Sequence, residues 1–418
     1  MLAKGIMPDT EPTISVGLVL PIDKQKSIYI SSNIDEKEYK IKIVKGSLMV
    51  NGEKKSQLLL EKESNESIFN LEPITAGRGF HWQKKINISI NGSLKVMIIE
   101  DNLFIVNVIG LESYLMSVAT SEMSGECPIA LLEAQTIAAR SWIIASEEQK
   151  HKDLDIDACN DDCCQRYQGT QNISELAQLA VRKTRGVFVT YNNEICDTRY
   201  SKSCGGISEN NENVWNDVPK SYLRGVFDGK KMKLPDFSKE NELKDWFLTP
   251  QECFCNNHYV DENKLRKYLG SVDEEGEYFR WKVSYSPDEL INIINTNLSE
   301  SFDSIDKLIP LKRGVSGRIT KLEIRGEKND STYKVIIDNE YDIRDALHPK
   351  FLYSSAFIIN ANSNTQSAGE KLTLSGAGWG HGVGLCQIGA LGMALIGKSS
   401  EEILKHYFSV ITIKKFYD

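Results

Sequence analysis

Apolar and polar residues alternate with a period of two through much of the chain up to about Asn107, as in Ser27-Ile-Tyr-Ile-Ser, Tyr39-Lys-Ile-Lys-Ile-Val and Ile86-Asn-Ile-Ser-Ile. That period predicts strands with one face buried. Gly46, Asn51-Gly52 and Asn91-Gly92 fall between such runs and supply hairpin turns. Leu103-Phe-Ile-Val-Asn-Val-Ile predicts one more strand, and then the period changes. Leu111, Leu115, Val118 and Ala119 line one stripe of a helix reaching Met123. A second helix begins at Pro128, a residue suited to the first helical position, and runs to Ala145 with apolar residues on nearly every side. A helix of that kind is buried. Ser174 caps a third helix ending near Gly186, and Val187–Tyr191 then pairs with Glu194–Tyr200 across Asn192-Asn193.

From about Lys230 to Asn360 charge-rich helical segments give way to strands such as Arg318-Ile-Thr-Lys-Leu-Glu-Ile, which reads as an inserted lobe. The last section returns to small residues in Gly376-Ala-Gly-Trp-Gly-His-Gly-Val-Gly-Leu-Cys-Gln, and a final helix opens with Ser399 and Glu402 in capping-box spacing. The pattern predicts a multi-lobed α+β protein. Its parts are a β-rich N-terminal lobe (1–98), a mixed core (99–232), the inserted lobe (233–360) and a C-terminal part of the core (361–418). A chain of 418 residues and 47.1 kDa exceeds what one hydrophobic core usually holds, which agrees with several lobes. No internal repeat stands out.

Composition narrows the function. Hydrophobic residues at 41% and charged residues at 26% are ordinary globular values and exclude a disordered chain. Lys and Arg total 50 against 58 Asp and Glu, a net charge of −8 with no basic run carrying interleaved aromatics, which argues against a nucleic-acid partner. No apolar stretch approaches the roughly 18 residues a membrane span requires. The stretch Met1-Leu-Ala-Lys-Gly-Ile-Met-Pro-Asp lacks the apolar core of a secretory signal, so the chain reads either as cytoplasmic or as one whose signal has been removed. The nine cysteines are unevenly placed: Cys159, Cys163 and Cys164 stand together, and Cys253 and Cys255 form a C-x-C. In a chain this long that grouping reads as a metal site or a local staple rather than a disulfide scaffold.

Glu122 lies four residues after Val118 and seven after Leu115, on the apolar stripe. A carboxylate there loses hydration, which raises its pKa and suits it to general-acid work. The competing reading is a helix-end glutamate turned outward to solvent. Glu112 and Glu126 compete nearby, Glu112 reading as a solvated first-turn residue favoured by the helix dipole. Gln135 and Arg140 interrupt the apolar second helix, and a buried arginine needs either an acidic partner or a ligand. Cys159, Cys163 and Cys164 are candidate zinc ligands, with further donors such as His151; a small disulfide loop or buried free thiols are the alternatives. Ser201-Lys-Ser-Cys-Gly205-Gly206 and the glycines around His381 read as backbone that a ligand or a second chain segment approaches closely. Neither run follows a strand and opens a helix as a dinucleotide fingerprint does, which excludes nucleotide binding.

Taken in order, several runs resemble the stage II sporulation protein D family, the SpoIID/LytB domain proteins. They are Val106-Asn-Val-Ile-Gly-Leu-Glu-Ser-Tyr-Leu-Met-Ser-Val-Ala-Thr-Ser-Glu122-Met, Glu133-Ala-Gln-Thr-Ile-Ala-Ala-Arg140-Ser and Cys164-Gln-Arg-Tyr-Gln-Gly. Next come Lys183-Thr-Arg-Gly, Ser203-Cys-Gly205-Gly206, Glu212-Asn-Val-Trp215 and Gly378-Trp-Gly-His381-Gly-Val-Gly-Leu-Cys-Gln387. Roughly residues 100 to 230 and 370 to 418 are covered. The lobe between resembles family versions with a large insertion, as in Bacteroidetes-like bacteria.

The resemblance implies a peptidoglycan lytic transglycosylase with Glu122 as its catalytic residue. The expected substrate-binding positions are Arg140, Ser201, Gly205, Gly206, His381 and Gln387. It also implies a zinc ion, structural rather than chemical, on Cys159, Cys163 and Cys164. Here Cys163 stands where the family carries histidine, which makes the site richer in sulfur and admits a disulfide in an oxidising compartment. The implied partners are glycan strands and a cell-wall amidase, and the implied location is the cell envelope, periplasmic or extracytoplasmic. Two rivals stand beside the enzyme: a non-catalytic glycan-binding enhancer of an amidase, and a Cys–His hydrolase using Cys386 and His381.

Overall fold

The computed structural model describes residues 7–418 except 34–35, 65–66, 80–82, 147, 149, 216–217, 231, 250, 271–275 and 361–370. The first six residues of the N-terminal stretch read above therefore lie outside the described residues. The fold is mixed α+β with a β-rich N-terminal region, as the periodicity predicts. It divides into two compact units: Met1–Asp197 with Lys267–Glu274 and Thr412–Asp418, and Thr198–Arg266 with Glu275–Ile411. The cut at residue 198 falls where neither composition nor charge changes.

In the first unit, a six-stranded sheet runs in spatial order Glu53–Lys55, Ser47–Val50, Glu38–Val44, Ser27–Ser32, Phe69–Ala76 and Lys84–Ile90. The turns sit where the sequence places them. Lys45-Gly46 and Asn51-Gly52 both take positive φ at both positions, the left-handed pair that a two-residue hairpin requires. A five-stranded sheet runs Ala158–Cys159, Thr13–Val19, Asn102–Gly110, Ser93–Ile99 and Leu58–Leu60.

The chain leaves Asn102–Gly110 directly into helix α1 (Leu111–Glu122), followed by α2 (Ile129–Ala145) and α3 (Glu175–Lys183). Pro128 caps α2, and Ser174 Oγ accepts the Ala177 amide at 3.1 Å to start α3. Helix α2 is buried on almost all sides, as its composition predicts. Helix α1 departs from the amphipathic expectation: polar Glu112, Ser117, Thr120, Ser121 and Glu122 are as buried as its apolar stripe. The second strand of the hairpin across Asn192-Asn193 is only Glu194–Ile195, and Val187–Tyr191 is completed on its other side by Thr412–Lys415.

The second unit holds two antiparallel three-stranded sheets. One orders Arg280–Tyr285, Leu372–Ala377 and Phe357–Asn360; the other orders Ser304–Arg313, Ile319–Lys328 and Ser331–Ile337. Both contribute to one core around Trp281, Ile294, Ile319, Leu322, Ile324, Leu347, Phe357 and Leu374. The two-stranded pair Tyr200–Ser201 and Leu385–Cys386 joins the two motif segments in parallel. Two helices follow where the sequence predicts one: Gln387–Leu395, and Ser400–Tyr407 with the expected Ser399/Glu402 capping box.

Candidate functional site

In the first unit the C-terminus of α1 meets the loop that follows Ala158–Cys159. Cys159 is anchored by parallel pairing to Gly17, where a Cβ would stand 2.6 Å from the terminal methyls of Ile156 and Leu20. Asp161 accepts the Gly77 amide and the Arg78 guanidinium, and Arg78 also grips Asp23 at 2.6 Å. Gln165 accepts from the Tyr114 hydroxyl at 3.0 Å and donates to Ala139 O at 3.2 Å, while Tyr167 stacks on Tyr114 with ring centroids 5.2 Å apart. The Arg166 side chain turns back onto Asp162. These bonds aim the loop backbone at the helix end. The Arg166 amide donates to Glu122 Oε1 at 3.1 Å, and the Gln168 amide donates to Ser121 Oγ at 3.2 Å.

Glu122 is therefore held inside the unit, only 7% exposed, and the reading that turns it outward to solvent does not hold. A carboxyl fixed at one oxygen by a backbone amide, and largely removed from water, is oriented for proton transfer. Glu126 is exposed, while Glu112 overturns its solvated reading altogether. Its carboxylate is buried, pairs with Arg140 at 2.7 Å and 3.0 Å, and also accepts from the Tyr417 hydroxyl at 2.6 Å and the Gly186 amide at 3.3 Å. Arg140 donates its remaining contacts to Val187 O and Thr184 Oγ1 and is completely buried. Of the two readings of this arginine, the geometry is that of an ion pair.

The cysteine cluster lies on the same loop. His151, Cys159, Cys163 and Cys164 bring four donor atoms within 4.8 Å of one another. Cys159 and Cys163 sulfurs stand 3.1 Å apart, and Cys163 Sγ lies 3.7 Å from His151 Nε2. None of the nine cysteines forms a disulfide. The Cys163 thiol is drawn below its usual pKa by hydrogen bonds from Cys159 and Cys164 and then by His151, while Cys159 is pushed up by its bonds to the same two sulfurs and by burial. Three sulfurs and one imidazole nitrogen are a donor set of the kind zinc takes. His151, offered by the sequence only as one further donor, completes the four.

The remaining expected substrate-binding positions fall in the second unit. Gly205 and Gly206 take φ of 75° and 106°, and the approach they permit is by protein: a Cβ on Gly205 would stand 2.6 Å from Gly378 N, and one on Gly206 would stand 2.8 Å from Trp246 and from Cys253 Sγ. Gln387 is 1% exposed and Ser201 7%. His381 is half-buried. Its Nδ1 accepts the Val383 amide at 3.0 Å, which leaves the ring proton on Nε2, and its ring meets Trp215 edge-on at 4.9 Å. The Arg199 guanidinium covers the Trp215 ring at 4.4 Å, and the half-buried Trp379 stacks on Tyr353 at 4.3 Å. Cys386 is completely buried, with its sulfur accepting the Cys204 amide, so it offers no nucleophile to a substrate as a Cys–His hydrolase requires.

Comparison with known proteins attaches a family to this geometry. The family described as "Stage II sporulation protein" matches residues 100–191, which span α1, α2, α3 and the cysteine loop. Stage II sporulation protein D of Bacillus amyloliquefaciens is 26% identical over 327 residues, 73% of this chain and 75% of that protein. Over that region the chain is similar to the stage II sporulation protein D family. An uncharacterized protein of Brachyspira hyodysenteriae is 28% identical over 326 residues, 78% of this chain and 72% of that protein. The amidase enhancer of Bacillus subtilis is 25% identical over 313 residues, 72% of this chain but 40% of that longer protein. Residues 209–384 match a separate family described as a domain of unknown function, DUF8618. The SpoIID match thus falls within the first unit, and the second match falls in the second apart from residues 267–274, which belong to the first. No helix among the described residues is long and apolar enough to cross a membrane.

Proposed function

We propose that this SpoIID-like chain is a peptidoglycan lytic transglycosylase in the cell envelope, with Glu122 as both general acid and general base. The observation that carries the reading is the position of Glu122 at the end of α1: buried, fixed by the Arg166 amide, and inside the region matched to the sporulation family. Its carboxyl proton passes to the glycosidic oxygen between N-acetylmuramic acid and N-acetylglucosamine, and the bond to the muramic C1 breaks with oxocarbenium character. The carboxylate then takes the proton of the sugar's own 6-hydroxyl, whose oxygen bonds to C1 and closes a 1,6-anhydro ring. Because that nucleophile is intramolecular, its effective molarity is high and a second carboxylate is not required.

The glycan-contacting surface we assign to the second unit is His381 and Trp215, both half-buried, where an aromatic ring and a polar ring edge are offered together, as sugar rings require. Arg140, Ser201, Gly205, Gly206 and Gln387 are left out of it, because Glu112 occupies the arginine, neighbouring backbone and side chains fill the space at the glycines, and Ser201 and Gln387 are enclosed. His151, Cys159, Cys163 and Cys164 would hold zinc, which when bound fastens the loop. The chain's own part is to carry Cys164, Gln165 and Arg166 in sequence, so that the Arg166 amide is placed on Glu122.

Similarity to an amidase enhancer favours a second reading, in which the chain holds glycan for a partner amidase and does no chemistry. Digesting peptide-free sacculi with the wild-type protein separates the two. Release of anhydro-muramyl products, seen by mass spectrometry, is the expected result. No anhydro product, with faster amidase digestion in its presence, is the result of the enhancer and would overturn the enzyme.

Metal removal gives a further expectation. Chelation, or Cys159→Ser with Cys163→Ser, loosens the loop, so kcat for glycan cleavage falls by about 10-fold to 100-fold, the cost typical of disturbing groups that orient a functional site. Added zinc restores the chelated protein but not the double variant. Unchanged kcat in zinc-free protein, confirmed metal-free by elemental analysis, would remove the loop from the argument.

A further inference from the structure

A second set of donors lies wholly within the second unit, apart from the loop already described. Cys204, Asp228, Cys255 and Cys386 bring three sulfurs and a carboxylate oxygen within 4.8 Å of one another. All four are buried, between 0% and 3% exposed. They come from four separate stretches of chain: the segment beside Gly205, a loop near Gly229, the C-x-C run, and the residue that caps the helix Gln387–Leu395. Nothing local in the sequence brings these residues together; the fold does.

Two of the donors, Asp228 and Cys386, are oriented by bonds from outside the set. Asp228 accepts the Tyr407 hydroxyl at 2.6 Å on Oδ1 and the Cys255 amide at 2.9 Å on Oδ2. Cys386 Sγ accepts the Cys204 amide at 3.2 Å and the Gly389 amide at 3.3 Å, at the N-terminus of its helix, where a negative sulfur is favoured. Cys204 and Cys255 sulfurs stand 3.9 Å apart, close to the roughly 3.8 Å edge of a tetrahedron with metal–sulfur bonds of about 2.3 Å. At Gly389 a Cβ would stand 2.4 Å from Asp228 Oδ1 and 2.3 Å from the Tyr407 oxygen, so the absence of a side chain there is what admits the carboxylate. Cys253, two residues from Cys255, instead packs beside Gly206 and is not in the set.

A buried carboxylate and three convergent thiols call for a compensating charge, and outer-shell donors of this kind are what fix metal ligands. We propose that Cys204, Asp228, Cys255 and Cys386 bind one zinc ion in a closed, structural site that ties these four segments together. Three sulfurs and one oxygen suit zinc over the harder magnesium or calcium, and four protein donors leave no position open for chemistry. The proposal is independent of the transglycosylase reading.

Metal counting on the full chain, purified without chelator, tests it. In a Cys159→Ser/Cys163→Ser background, one equivalent of zinc should remain bound per chain, and added Cys255→Ser/Cys386→Ser should remove it. Replacing that zinc with cobalt(II) should give the visible bands of a tetrahedral site and a thiolate charge-transfer band. Should the background variant fail to fold, the comparison of wild type with Cys255→Ser/Cys386→Ser decides, since the site predicts one equivalent fewer in the latter. Zinc content indifferent to Cys255 and Cys386, or a Cys204–Cys255 disulfide found by thiol titration and peptide mapping of protein purified without reductant, overturns the proposal.

Discussion

Glu122→Gln should cut the release of anhydro-muramyl products by about 10²–10⁴-fold, the usual contribution of a positioned general acid–base group. The substitution is chosen for what it leaves in place. Glutamine has the same shape, and its side-chain oxygen still accepts the Arg166 amide that fixes Glu122 at 3.1 Å. Thermal stability should therefore stay near that of the wild type, and glycan retention on insoluble sacculi should persist. Only the exchangeable proton is lost, so the deficit belongs in kcat rather than KM. Undiminished product release by this variant, with the same midpoint of unfolding, would remove Glu122 from the chemistry and leave the enhancer reading in its place.

Glu122 stood out as a candidate in the sequence because two signals met there: its register on the apolar stripe of α1, which by itself left an outward-facing glutamate open, and its place in a family run. What the register could not supply was the Arg166 amide, which reaches the helix end only because Asp161 and Gln165 have partners far away in sequence. The glycine runs show the same limit. Glycine spacing announces that something comes close, but whether that is ligand or chain depends on the neighbour, and at Gly205 the neighbour is Gly378. The C-x-C of Cys253 and Cys255 misleads for a related reason. Only Cys255 joins Cys204, Asp228 and Cys386, and spacing rules cannot see a set gathered from four distant segments. Asp228 carries no local signal, since a lone aspartate reads as surface until Tyr407 and Cys255 are found on it.

Glu112 marks where local reasoning and tertiary structure part most sharply, and it carries the second large expected effect. A first-turn glutamate is ordinarily a solvated residue facing the positive end of the helix. Here the C-terminal segment returns to lay Tyr417 on its carboxylate, and α2 presents the fully buried Arg140 to it. Replacing Glu112 with leucine keeps the volume but leaves the Arg140 charge buried without its partner. The cost of breaking such a pair is about 3–5 kcal/mol. For a unit of about 200 residues that corresponds to a fall in the unfolding midpoint on the order of 10 °C. The double variant Glu112→Leu/Arg140→Met removes both charges and should recover more than half of the loss, because the uncompensated charge rather than the missing bond dominates the cost. Calorimetry on the wild type, the two single variants and the double variant reads this directly. A Glu112→Leu chain within about 1 kcal/mol of the wild type, or a double variant as unstable as the worse single variant, would show that the pair does not hold α1 to α2, and the positioning of Glu122 would then have to rest on the cysteine loop alone.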